Sequence, residues 1–197
     1  GSYAFIYLQG GKIPEGTYLI ESHYYYDKNK EEMIDKLEMF ESIDIDTQDF
    51  VKVKGNHLKT YGYFLDNDEG FVSSLDYMSA YNFNYDTWSR SLKHAWTLSE
   101  YEDMVGKILR KYYKEATFKN ESEIEYDTKD YVKRYKSDLK MTYRYKLRGE
   151  RLTITTYDED GVVFTIRTFK RLSKAKEKNL IYDYDKEVKK DREQVLP

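Results

Sequence analysis

The chain contains no cysteine. A disulfide framework, a thiolate metal site and a cysteine nucleophile are therefore excluded together. Proline occurs only 2 times and glycine 10 times in 197 residues, which rules out collagen-like and low-complexity chains. No apolar run approaches the roughly 18 residues that a membrane-spanning helix needs. The 3 histidines, His23, His57 and His94, stand at none of the spacings that put two imidazoles on one metal. No glycine-rich phosphate loop, serine elbow or serine–lysine motif is present. The acids around Asp44, Asp46 and Asp49, and those from Asp66 to Gly70, resemble fragments of calcium loops, but the glycine and the closing glutamate are misplaced. No catalytic residue, metal ligand or cofactor is expected, and the reading is of a protein that is not an enzyme.

Aromatic residues, by contrast, are abundant. They make up 17% of the chain, with 22 tyrosines, against a mean hydropathy of -0.88. So polar a chain with so many rings is expected to fold rather than remain disordered. Its length suits one domain. Charge is unevenly spread: residues 1–100 hold 17 acids and 9 Lys or Arg, whereas residues 101–197 hold 19 and 24. A pI near 5.8 and the absence of a basic stripe argue against a nucleic-acid partner. Gly1-Ser2 reads as a scar of tag removal, so a signal or anchor upstream is expected to have been cut away.

Periodicity places the elements. Strands are expected at 3–8, 17–26, 50–54, 58–65 and 71–78, followed by an irregular aromatic stretch at 79–97. Met33, Ile34, Leu37 and Phe40 predict an acidic amphipathic helix over 27–42. A second helix is expected at 98–116, with Ser99 and Glu102 at capping-box spacing. Residues 117–126 read as a strand. Met141, Tyr143, Tyr145 and Leu147 alternate with polar residues and begin a three-strand meander through 139–172, turned at Arg148-Gly149 and at 158–161. Together these predict an α+β fold, a single twisted or curved antiparallel sheet of roughly seven or eight strands with two or three helices on one face or edge. Residues 1–172 would form the domain, and 173–197 a charged extension folded as a helix against it.

The segment 60–89 is unusual. It has no Lys or Arg, five acids, and nine aromatics. Alternation sets neighbouring rings on opposite faces, so one core face cannot absorb them all. Tyrosine-rich surfaces with an acidic rim suit a protein partner with a basic surface. Tyr61, Tyr63, Asp68, Tyr81 and Tyr85 are the expected partner-binding residues, with helix 27–42 as a rim.

Two resemblances bear on function. Gly16-Thr17-Tyr18-Leu19-Ile20 resembles the first strand of lipocalin-like lipoproteins, and the stretch from Leu147 to Thr155 with Asp160-Gly161 and Phe169 to Leu172 resembles their last meander. That family implies a small β-barrel holding an apolar or aromatic ligand. The size, missing cysteine and acidic Tyr-rich sheet make the whole chain similar to TipC-type immunity proteins of streptococci. Those are extracytoplasmic, membrane-anchored antagonists of a type VII secretion toxin, which here would be the basic partner. No residue assignments follow from that second resemblance.

Overall fold

The computed structural model describes residues 11–42, 45–66, 71–72, 81–116 and 119–180. Among the described residues there are ten strands: β1 Gly16–Asp27, β2 Glu32–Asp35, β3 Ile45–Lys54, β4 His57–Asp66, β5 Phe71–Val72, β6 Asn82–Asp86, β7 Ser91–His94, β8 Thr142–Arg148, β9 Arg151–Tyr157 and β10 Val163–Arg171. The helices among the described residues are α1 Lys36–Ser42, α2 Leu98–Ala116, α3 Glu121–Asp138 and α4, residues 174–180.

The sheet does not stay flat or merely curve. Its order is β10-β9-β8-β7-β6-β4-β3-β1, and β1 also pairs with β10, so eight antiparallel strands close on themselves. This corrects the expected fold class: the molecule is a β-barrel, not a single sheet with helices packed on one face. Closure joins Tyr18–Tyr25 to Thr165–Arg171 and removes the two unpaired edges an eight-strand sheet would otherwise expose. β2 adds to the far half of β1 and β5 to the far half of β4, both outside the closed ring.

The meander β8–β9–β10 lies where alternation put it. Tyr143 and Tyr145 are buried, and Met141 and Leu147 pack beside them on the same core. Gly149 and Gly161 take φ of 59° and 78° at the two turns, a region that side chains enter only with strain.

Other expectations need correction. The helix over 27–42 does not form at its N-terminal half. Asp27 Oδ1 instead accepts from the amides of Asn29 and Lys30 at 2.8 and 3.1 Å, the chain reverses, and Glu32–Asp35 pairs back onto Tyr24–Asp27. Asp35 Oδ1 then accepts from Leu37 and Glu38 amides and starts α1, which is only two turns. The stretch 79–97 is not irregular but contains the β6–β7 hairpin, its turn held by Asp86 Oδ1 accepting from the Trp88 and Ser89 amides. Residues 121–126, expected as strand, belong to α3: Asn120 Oδ1 accepts from the Glu123 amide and caps it. The capping box of α2 is Thr97 with Glu100, two residues earlier than Ser99 with Glu102. The expected strand 3–8 lies outside the described residues, as do 73–78 of the strand beginning at Phe71.

α2 and α3 form an antiparallel pair whose facing side is aromatic. Ile124, Thr128, Tyr131 and Tyr135 recur at helical spacing and bury against Tyr101, Val105 and Leu109. Tyr101 and Tyr135 stack at 3.9 Å with planes 7° apart. α4 covers the outside of β1 and β3: Leu180 packs on Phe50, and the Thr17 hydroxyl donates to Glu177 at 2.9 Å. Among the described residues no helix is long and apolar enough to cross a membrane.

Candidate functional site: the polar level of the barrel interior

Inward positions follow from register, because paired residues share a face. Along β1 the inward residues begin with Tyr18 and Ile20. A bulge between Ile20 and Ser22 then shifts the alternation by one, so His23 and Tyr25 face inward opposite Arg167 and Thr165, while Tyr24 turns out and is 39% exposed.

The barrel interior divides into two levels. At the end where β1 begins, Tyr18, Val51, Leu58, Leu152 and Ile154 are fully buried, and Phe169 and Phe83 nearly so. That mouth is closed by the segment from Gly11 to Pro14: Ile13 is buried, Tyr145 donates to the Gly11 carbonyl, and Tyr18 donates to the Pro14 carbonyl at 2.6 Å. Loss of water around the Tyr18 phenol pushes its pKa up to about 12.

Toward the other end the inward set becomes polar: His23 on β1, Asp49 on β3, Thr60 on β4, His94 on β7, Tyr143 on β8, Thr156 on β9, and Thr165 and Arg167 on β10. Asp49, Thr165, Arg167 and Tyr25 here are only half-buried. The β6–β8 side of this level is covered by the helical pair. Tyr81 belongs to both the barrel core and the helix core, stacked on Tyr101 and Tyr135 at 6.1 and 5.8 Å, and its hydroxyl donates to Asp138 Oδ2 at 2.5 Å. The Tyr143 hydroxyl donates to the Asp138 carbonyl at 3.0 Å.

Electrostatics at this level are shaped by burial. Desolvation pushes His94 down to about 4; its ring lies 4.4 Å from Phe83 and 5.0 Å from both Tyr135 and Tyr143, and neither nitrogen has a hydrogen-bond partner. His23 falls to about 3, first through desolvation and then through the like charges of Arg167 and Lys36. Both imidazoles are thus neutral at pH 7. Desolvation raises the Asp138 carboxyl, a shift that the Tyr81 hydrogen bond and the charges of Arg134 and Arg167 oppose. Arg167 is the exceptional group. Its guanidinium lies 5.7 Å from the Phe169 ring centroid, its Nε is buried with no hydrogen bond, and no ion pair among the described residues includes it.

The expected partner-binding residues are scattered by this geometry. Tyr85 is interior, 8% exposed and edge-on to Tyr145, because β6 presents Phe83 and Tyr85 to the barrel core. Tyr81 is half-buried under the helical pair. Tyr61 faces outward on β4, half-buried and stacked on Phe50 at 5.0 Å, with the Lys52 and Lys59 ammoniums 5.4 and 5.9 Å from its ring. The segment that carries no cation of its own thus receives two from its flank and partner strand. Tyr63 pairs with Gln48 in the β3–β4 register, and Asp68 lies outside the described residues. Sequence reasoning missed Arg167 and Asp138; it considered His23 and His94 only as metal ligands and read them as polar strand or turn residues, and both do lie on strands. One signal was available: Arg167 stands two residues before Phe169 in an alternating strand, hence on the same face. Among the described residues, no three His, Asp or Glu side chains are placed to hold a metal ion.

Comparison with protein-family models and with curated proteins gives no match.

Proposed function

We propose that the protein is a non-enzymatic binding protein whose barrel holds a small ligand at the polar level of its interior. The observation that carries this reading is the gradient of burial along the barrel. One end is filled by side chains with almost no exposure, while inward-facing Tyr25, Asp49, Thr165 and Arg167 at the other level remain half-buried. Binding sites in small barrels combine such an apolar wall with a few convergent polar groups. The reading agrees with the resemblance to lipocalin-like lipoproteins.

The neutral fluorophore N-phenyl-1-naphthylamine tests it. Wild type should bind one equivalent, and Thr165→Trp, which fills the interior at this level, should weaken binding at least tenfold with an unchanged circular dichroism spectrum. Absence of binding to wild type, or equal binding by Thr165→Trp, would sink the proposal.

Occlusion of a secreted toxin, which the TipC-type resemblance implies, is the second reading. It is favoured by aromatics left at the surface, Trp88 at 56% exposure among them, and would rest on these and Tyr61 rather than on Tyr81 and Tyr85. A toxin bound with an affinity that Tyr61→Ala weakens would support it.

A further inference from the structure

Building on the small-ligand reading, we infer that the ligand is a compact anion, an aromatic or branched carboxylate or a group of equivalent charge, whose head is held by Arg167. The argument starts from what a guanidinium requires. It is charged at every working pH and offers five N–H donors, so an interior arginine is costly unless its charge and donors are met. A neighbouring carboxylate usually meets both. Here no carboxylate of the described residues forms an ion pair with Arg167, and the buried Nε has no acceptor.

The two acids whose charges reach Arg167, Asp49 and Asp138, do so without forming an ion pair. Asp138 Oδ2 already accepts from Tyr81 at 2.5 Å. Asp49 has a further interaction of its own. Asp49 and Asp138 oppose an incoming anion through their charge, and the other titratable groups do not. His23 and His94 are neutral, and Lys36 at the start of α1 adds positive potential on the β1 side. An oxyanion on Arg167 would therefore meet a fixed fork of donors at a partly dehydrated site, where charge-assisted hydrogen bonds are strongest.

Size follows from packing. Beside Arg167 lies its register partner Ile154, and below it the interior is occupied by Phe169, Leu152 and Tyr18, all essentially without exposure. A long acyl chain has no room to run down the barrel axis, so the body of the ligand must stay at the level of Tyr25, Thr165 and Tyr143. This favours a ring or a branched body over an extended one.

Displacement of N-phenyl-1-naphthylamine from the whole protein separates the possibilities. 1-Naphthoate and 1-naphthalenemethanol share the ring and differ in the charge. With wild type, the acid should displace the fluorophore at a concentration about tenfold or more below that of the alcohol, as expected for a hydrogen bond to a charged group. Arg167→Gln should abolish that preference, read as the ratio of acid to alcohol displacement within the variant itself. Arg167→Lys should retain part of the preference, and Arg144→Gln, on the exposed outer side of β8, should retain all of it. If the fluorophore binds but acid and alcohol displace it equally, the anion assignment is wrong and the small-ligand reading survives. The anion assignment is equally wrong if folded Arg167→Gln keeps the preference. Should Arg167→Gln fail to fold, the wild-type preference and its partial retention in Arg167→Lys decide the matter. If wild type does not bind the fluorophore at all, both the reading and this inference fall.

Discussion

Replacing His94 by phenylalanine offers a quantitative check on the packing of the barrel's polar level. His94 is enclosed by Phe83, Tyr135, Tyr143 and Tyr81, with ring centroids 4.4 to 5.5 Å away, and both nitrogens lack partners. Desolvation holds it at about 4, against 6.5 for an imidazole in water. A folded pKa below the unfolded one means that the unfolded chain takes up the proton first. The contribution of His94 to stability is therefore complete above pH 6.5 and is lost as pH falls from 6.5 toward 4. At pH 5 the unfolded imidazole is almost fully protonated and the folded one almost fully neutral, which costs about 2 kcal/mol relative to pH 7.5. His23, lowered to about 3, adds a further loss of about 2 kcal/mol over the same interval. Wild type should thus lose about 4 kcal/mol between pH 7.5 and 5.0 from these two groups, a large share of a typical domain's stability. His94→Phe should lose about half as much. Asp138 contributes with the opposite sign in both proteins, since its carboxyl is raised, and cancels in the comparison. Urea unfolding followed by tryptophan fluorescence at the two pH values measures the difference directly. Equal losses in wild type and His94→Phe, within about 0.5 kcal/mol, the usual scatter of independent sites, would refute the claim that the ring is buried and neutral.

Three other results are expected. Tyr81→Phe removes the donor to Asp138 and should destabilise the fold by about 1–3 kcal/mol at pH 8. Because that bond lowers the Asp138 pKa, the deficit should shrink as pH falls and the carboxyl is protonated, which urea melts at pH 8 and at pH 3.5, below the ordinary carboxylate value, would show; a pH-independent deficit would mean that the carboxylate is not the group stranded. Phe169→Ala, at a position with 1% exposure in the filled end of the barrel, should cost about 3–5 kcal/mol by calorimetry, and a loss below about 1 kcal/mol would contradict the packing described. The fluorophore titration with Thr165→Trp completes the set, with binding weakened at least tenfold if the interior is the site.

Local pattern in the chain was sufficient for some of this structure. The stretch 141–171 alternates so regularly, with glycines at φ 59° and 78° in its turns, that three paired strands and their buried face were legible from residue types. The helix Leu98–Ala116 was legible as well, although its cap moved to Thr97. Elsewhere local signals competed. Met33, Ile34, Leu37 and Phe40 carry helical spacing, yet the turn that Asp27 closes folds Glu32–Asp35 back onto Tyr24–Asp27, and only the second half, Lys36–Ser42, is helical. The stripe Ile124, Thr128, Tyr131 and Tyr135 keeps helical period but is written in tyrosine and threonine, so it escaped a search for aliphatic residues.

Closure of the barrel and the site inside it belonged to tertiary structure alone. Whether the first and last strands meet depends on accumulated twist and stagger around eight strands, and no window of sequence contains Tyr18 and Arg171 together. The same pairing, with a one-residue bulge after Ile20, turns His23 inward and Tyr24 outward; alternation alone shows that the two differ in face but not which faces the core. Arg167 was visible as a residue on the face of Phe169. That this face is the inside of a closed barrel, where Arg167 forms no ion pair with a carboxylate of the described residues, follows only once β10 has found β1.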